Sequence, residues 1–280
     1  MQVAPDGALA MTLPALCGGQ LAKARFILDT GGGPLSSISQ KTAAAAGWQP
    51  AGTTTRTYVA QAPQQRPVYS AVVEIAGQRI ETQLVGEDAP EFPAGTGALG
   101  AGVLDKLDIA YQGGQFQLFP AGTLPVAPFA MTNGFMSLPG TVGVQHAGLI
   151  LDSGSTGIGL ISMQLAGGLA PVAFWEGPDG KAYPVFDAPV AAQGVSATMP
   201  LVALPLLNAA VANAGWMAQG TWVRLGASQT FSFGPGPGMG VSLWGAATGA
   251  ALGILTTGVF IVSVVWAYKQ ARQWVKDGHL

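Results

Sequence analysis

Two short stretches of the chain carry the same chemistry-bearing residues in the same order: Phe26-Ile27-Leu28-Asp29-Thr30-Gly31 and Leu149-Ile150-Leu151-Asp152-Ser153-Gly154. Each is an apolar run that ends in one carboxylate, one hydroxyl and one glycine. A single copy would be weak, because such tripeptides occur by chance at strand ends. Two copies raise the question of whether Asp29 and Asp152 face each other. Carboxylates a few ångströms apart cannot both ionise cheaply, so such a pair shares a proton and titrates as a unit. One oxygen can then take a proton from a water while the other carboxyl donates to a carbonyl oxygen. That is general acid–base hydrolysis of an amide with no covalent intermediate. Gly31 and Gly154 let the backbone turn and offer amides to the carboxylates, Thr30 and Ser153 can bond across to the opposite loop, and the apolar runs give a partly dry floor.

The duplication extends to the elements that would hold the pair. Met11-Thr12-Leu13-Pro14 precedes the first copy as Met136-Ser137-Leu138-Pro139 precedes the second, and Leu35-Ser36-Ser37-Ile38-Ser39 follows as Ile158-Gly159-Leu160-Ile161-Ser162 does. Two copies of one lobe predict a pseudo-twofold, bilobal domain whose axis brings the two strand-end loops together. Strand-like runs at 20–28, 54–60, 68–75 and 79–85 are punctuated by Gly and Pro, with a tight hairpin predicted at Ala76-Gly77-Gln78. Short helices are predicted over 37–46, capped by Gly47, over 103–107, and over 162–169. A hairpin over 108–119 turns at Gly113-Gly114, and Trp222-Val223-Arg224-Leu225-Gly226 precedes a last strand at 229–233. The expected organisation is a first lobe over 1–120, a second over 121–233, a Gly/Pro linker over 234–240, and a membrane segment beyond.

Composition fits an all-β chain with many turns. Of the 280 residues only 9% are charged, against about 25% in ordinary soluble domains. Glycine (41) and proline (20) are abundant and the net charge is −2, with no basic stripe to bind nucleic acid. The single cysteine, Cys17, excludes an internal disulfide framework and a cysteine-rich metal site. His146 and His279 have no acidic partners nearby in sequence, so no metal and no cofactor is expected. Glu87, Asp88 and Glu91 read as a solvated acidic loop.

On these motifs the chain resembles the aspartic proteases of the pepsin and retropepsin type. The family pattern is hydrophobic-hydrophobic-Asp-Thr/Ser-Gly, followed later in each lobe by hydrophobic-hydrophobic-Gly. Here Ile27-Leu28-Asp29-Thr30-Gly31 goes with Ala98-Leu99-Gly100, and Ile150-Leu151-Asp152-Ser153-Gly154 with Arg224-Leu225-Gly226. The resemblance covers roughly residues 10–233. It implies two six-stranded β lobes with a substrate cleft between them, and Asp29 and Asp152 as catalytic dyad. Thr30, Gly31, Ser153, Gly154, Ser155 and Thr156 would support the dyad, and Tyr58 or Tyr69 would be the flap tyrosine. The first motif departs from the family at Gly32-Gly33-Pro34, where Ala, Ser or Thr is usual after the Gly, so one supporting hydroxyl is missing. The flap stretch, 60–67, is polar and lacks the glycines expected at a flap tip.

Residues 241–268 carry no charge, and a helix needs roughly 20 apolar residues to cross a bilayer. Trp244 at one end and Trp266 and Tyr268 at the other fit an aromatic belt, and Lys269, Arg272 and Lys276 follow at once. This predicts one C-terminal transmembrane helix in the inner membrane, a basic cytoplasmic tail over 269–280, and the bilobal domain on the periplasmic side, although 1–16 is no recognisable secretion signal. Gly245, Gly249 and Gly253 recur every fourth residue, a face suited to packing against other transmembrane helices. Two functions follow as expectations. One is a membrane-anchored aspartic endopeptidase acting on polypeptides near the bilayer. The other is a non-catalytic protease-fold subunit docked by its glycine-faced helix into a larger membrane complex.

Overall fold

The computed structural model describes residues 8–56, 63–88, 92–124, 130–132, 135–155, 157–177, 179–205 and 209–235. The first lobe comprises β1 (Ala10–Cys17), β2 (Gln20–Leu28), β3 (Ser36–Ser39), α1 (Gln40–Ala45), β4 (Gly52–Arg56), β5 (Gln64–Ile75), β6 (Gln78–Glu87), β7 (Thr96–Leu99) and α2 (Ala101–Leu104). Alternation sets which face is buried. Along β5, Tyr69, Ala71, Val73 and Ile75 go into the core while Ser70 and Glu74 stay out. The order β1-β2-β7-β3-β6-β5 closes on itself through β1–β5 pairing, a six-stranded barrel. The start of β5 runs past the closure and pairs instead with β4, so β4–β5 is a hairpin standing off the barrel.

After β8 (Leu107–Gln112) and β9 (Gln115–Pro120), the second lobe repeats the plan. Its elements are β10 (Ala130–Thr132), β11 (Phe135–Val142), β12 (Gln145–Asp152), β13 (Gly159–Ser162), β14 (Ala173–Glu176), β15 (Ala182–Ala192), β16 (Val195–Leu204), β17 (Ala210–Asn213) and α3 (Ala214–Met217). β11-β12-β17-β13-β16-β15 closes through β11–β15. The parallel pairings β12–β17 and β13–β16 reproduce β2–β7 and β3–β6. The all-β, bilobal architecture expected from the duplicated motifs is thus present as two six-stranded barrels.

The lobes are joined by a third sheet, ordered β9-β8-β18-β19, in which β18 (Gly220–Leu225) and β19 (Thr230–Pro235) form the closing hairpin of the second lobe. β8 and β18 cross antiparallel with Ala110 opposite Val223. The neighbouring pair, Tyr111 and Trp222, stack at 5.4 Å between centroids. Arg224, almost wholly buried, donates from Nη1 to the Leu104 carbonyl at 2.5 Å and from Nη2 to Asp105 Oδ1 at 2.5 Å. Asp108 is buried. It accepts from the amides of Thr123 (2.7 Å) and Leu124 (3.0 Å) on its own side and from Gly226 (3.0 Å) on the other. Such bonds supply the stabilisation that a buried carboxylate loses with its water.

Several local expectations shift. Ser37–Ser39 are strand, not helix, because β3 pairs in parallel with β6; only Gln40–Ala45 is helical. Gly47 does cap that helix, with Trp48 N–H bonded to the Ala43 carbonyl and Gly47 N–H to the Ala44 carbonyl. α2 begins and ends earlier than 103–107, since Leu107 is needed by β8. The segment after Ser162 makes turns rather than a helix. Gly234 and Pro235 belong to β19 and not to a linker. The segment 241–268, with Gly245, Gly249 and Gly253, lies outside the described residues. Among the described residues no helix is long and apolar enough to cross a membrane.

Candidate active site

Asp29 leaves β2 with its amide bonded to the Leu99 carbonyl on β7 (3.0 Å), and Asp152 ends β12 beside Asn213 on β17. The two strand-end loops meet at the lobe junction, which brings the two carboxyls close enough to interact directly. The glycines make this approach possible. A Cβ on Gly31 would stand 2.5 Å from Asp152 Cγ, and one on Gly154 would stand 2.6 Å from Asp29 Cγ. Each loop's glycine therefore makes room for the other loop's carboxylate, a tighter demand than the turn alone.

Hydroxyls cross the junction in both directions. Thr30 Oγ1 donates to the Leu151 carbonyl (2.7 Å) and accepts from Ser153 N–H (3.0 Å). Ser153 Oγ donates to the Leu28 carbonyl and accepts from Thr30 N–H at 3.2 Å. Both residues are buried, so these bonds fix the separation of the two loops without competition from water.

The carboxyls are hemmed in by protein yet keep an edge open to solvent. Burial pushes Asp29 well above the usual carboxylate range. The negative charge of Asp152 and the hydrogen bond to it push the same way, against the amides of Gly32 and Gly31. Burial raises Asp152 as well, but the bond from Asp29 and the amides of Gly154, Ser155 and Gly31 oppose it. Gly154 and Ser155 N–H donate to Asp152 Oδ1 at 2.9 and 3.0 Å. Both carboxyls are raised, so the pair holds one proton between them and titrates as a unit.

Ser155 supports Asp152 through its amide; its hydroxyl is directed to the Ile158 carbonyl at 3.1 Å. On the other side a Cβ at Gly32 would lie 2.7 Å from Asp29 Oδ2, so the missing side chain leaves space that the Asp29 carboxylate fills. Thr156 and Tyr58 lie outside the described residues. Tyr69 is not a flap residue: its ring is buried in the first barrel, edge-on to Trp48 at 5.7 Å.

The later glycine element is found where expected in the first lobe, with Gly100 N-terminal to α2 and pressed against the Gly33 and Leu35 carbonyls. In the second lobe Arg224-Leu225-Gly226 is not its counterpart, because those residues lie in or beside the interlobe sheet. Strand pairing puts Ala212-Asn213 there, with Asn213 in the place of the glycine. Asn213 Oδ1 accepts from Trp216 N–H at 2.8 Å and caps α3. With no glycine to mark it, pattern matching passes over this position.

Glu87 is also misplaced by sequence alone. It is buried at the end of β6, between Arg56 on β4 (Nε–Oε1 3.6 Å) and Arg66 on β5 (Nε–Oε2 3.7 Å), and Ser37 Oγ lies 3.5 Å from Oε1. Asp88, on the surface, pairs with Arg66. His146 is exposed on β12, and among the described residues no three His, Cys, Asp or Glu side chains cluster to hold a metal.

A scan against protein-family models finds no match for this chain, and a search of curated proteins finds no relative in sequence.

Proposed function

We propose that the protein is an aspartic endopeptidase that hydrolyses peptide bonds with the Asp29/Asp152 pair. A water held between the carboxyls loses a proton to the ionised member of the pair as it attacks the peptide carbonyl, and the protonated member donates to the carbonyl oxygen. The proton then returns through the pair to the leaving amine. The observation that carries this reading is the meeting of two like loops at the junction of two barrels, where each loop's glycine makes room for the other loop's carboxyl and hydroxyls cross in both directions. The uncharged segment 241–268 would tether the enzyme to the inner membrane with the barrels on the periplasmic side, near polypeptides at the bilayer. Gly245, Gly249 and Gly253 would meet neighbouring membrane helices.

The absence of a side chain at Gly32 and of a Ser155 hydroxyl bond to Asp152 favours the second reading, a non-catalytic subunit keeping the fold as a rigid cap. Cleavage of an unfolded polypeptide between acid and neutral pH separates the two. The endopeptidase reading expects pepstatin-sensitive cleavage that Asp29→Asn abolishes, and the absence of such cleavage at every pH sinks it.

A further inference from the structure

Charge is spread unevenly along this chain. Between Asp108 and Asp152 there is no Asp, Glu, Lys or Arg, and between Asp187 and Lys269 Arg224 stands alone. Arg224 is 1% exposed, so neither stretch brings such a side chain to the surface.

The fold gathers turns from both stretches at one end. In the interlobe sheet Pro235 pairs with Gly220, and Trp222 pairs with Tyr111, which leaves the β8–β9 turn, Gln112–Gln115, at that same end. With strands about 4.8 Å apart, this turn lies two strands, roughly 10 Å, from Pro235. The charges of the sheet, Asp105, Lys106, Asp108 and Arg224, stand towards its opposite end.

The second barrel is polarised in the same sense. A Cβ on Gly194, in the β15–β16 turn, would stand 3.4 Å from Pro235 Cγ. A groove of about 520 Å³ runs from this turn to β11 and β12, where Thr141 and His146 line its other wall. The β11–β12 tip, two residues beyond His146, holds Val144, 97% exposed. The exposed charges of this lobe, Glu176, Asp179 and Lys181, sit at the far end of β15, around the β14–β15 turn.

From Pro235 to residue 241, where the uncharged segment starts, is six residues. That length of chain spans at most about 20 Å. With 241–268 in a bilayer, the end of the domain around Pro235 is held near the headgroups. A charged side chain there would lose water on the side that faces lipid, a cost that needs a partner to offset it. Amides, hydroxyls and small side chains avoid that cost, and Val144 gains by leaving water.

We propose that the protein rests on a zwitterionic phospholipid surface by this uncharged end. The contacts are the turns at Gln112–Gln115 and Gln193–Gly194 and the β11–β12 tip, with Lys106 and the β14–β15 turn directed away from lipid. The inference rests on the membrane tether of the proposed function and not on cleavage.

The experiment uses the full chain with Cys17→Ala, reconstituted into phosphatidylcholine vesicles. A fluorescent maleimide is attached in turn to Gln115→Cys, Ser196→Cys, Lys106→Cys, Lys181→Cys and Thr256→Cys, and quenching by nitroxide-bearing phosphatidylcholine is read at each. Labels at 115 and 196 should lose fluorescence as the label at 256 does, while those at 106 and 181 keep theirs. Gln115→Glu with Gln193→Glu should relieve the quenching at 196 without a change in melting profile. Equal quenching at 106, 115, 181 and 196, with 256 still quenched, would overturn the resting face and leave the tether standing. Shielding of 196 from aqueous iodide without quenching by lipid would overturn it too, and assign the face to a second copy of the chain. An unquenched label at 256 would refute the tether, and the inference with it.

Discussion

Thr30→Val tests whether the crossed hydroxyls hold the lobes together. Valine matches threonine in shape, so the substitution removes two hydrogen bonds and little volume. Leu151 loses the hydroxyl donated at 2.7 Å, and Ser153 N–H loses its acceptor at 3.0 Å. A buried polar group left without its partner costs about 1–3 kcal/mol, and two such groups put the loss at about 3 kcal/mol, with some relief from relaxation. For a chain of this size that is a fall of roughly 6–12 °C in melting temperature. Urea denaturation should show a lower midpoint at an unchanged slope. Ser153→Ala removes the mirror-image bonds, so the double variant should lose less than the two single losses combined, by at least about 0.5 kcal/mol. A Thr30→Val protein within about 0.5 kcal/mol of wild type, or strictly additive losses, would refute the claim that the two hydroxyls act as one lock.

Asp29→Asn should change the pH dependence of stability as well as activity. Asp29 is raised in the folded protein, so its contribution is fully present below the ordinary carboxylate value of about 3.9 and is lost as pH rises through the folded value. The variant should therefore gain on wild type between acid and neutral pH, and a melting difference independent of pH would count against the shared proton. Arg224→Met should cost about 3 kcal/mol, near the low end for a broken buried pair because Asp105 is partly exposed and also accepts from Gln229; a calorimetric melt unchanged from wild type would remove Arg224 from the interlobe lock. Asn213→Ala should cost about 1 kcal/mol through the lost cap on α3, and a neutral result by denaturant titration would show that Trp216 N–H finds another partner.

The carboxylate pair was legible because it depends on a short motif repeated in each half of the chain, and apolar runs of strand length preceded both copies. The hairpins at Ala76-Gly77 and Gly113-Gly114 were legible for a similar reason: left-handed turn residues announce themselves locally, as their positive φ angles show. Failures came where partners are distant. Ser37 and Ser39 sit beside an alanine-rich run of helical propensity, and only the parallel pairing with β6 makes them strand. Tyr69 alternates into a core whose Trp48 is far along the chain. Glu87 reads as one more acid in a polar loop until two strands bring arginines to it.

The sequence by itself determined that there are two like lobes and that each offers one aspartate, since local repetition encodes both. Only the tertiary structure decided how the lobes are joined, through β8 and β18, and that the two aspartates are buried together. It also decided that the surroundings of the two are unlike. These depend on burial and on charges brought together from separate strands, quantities that no local window of residues contains.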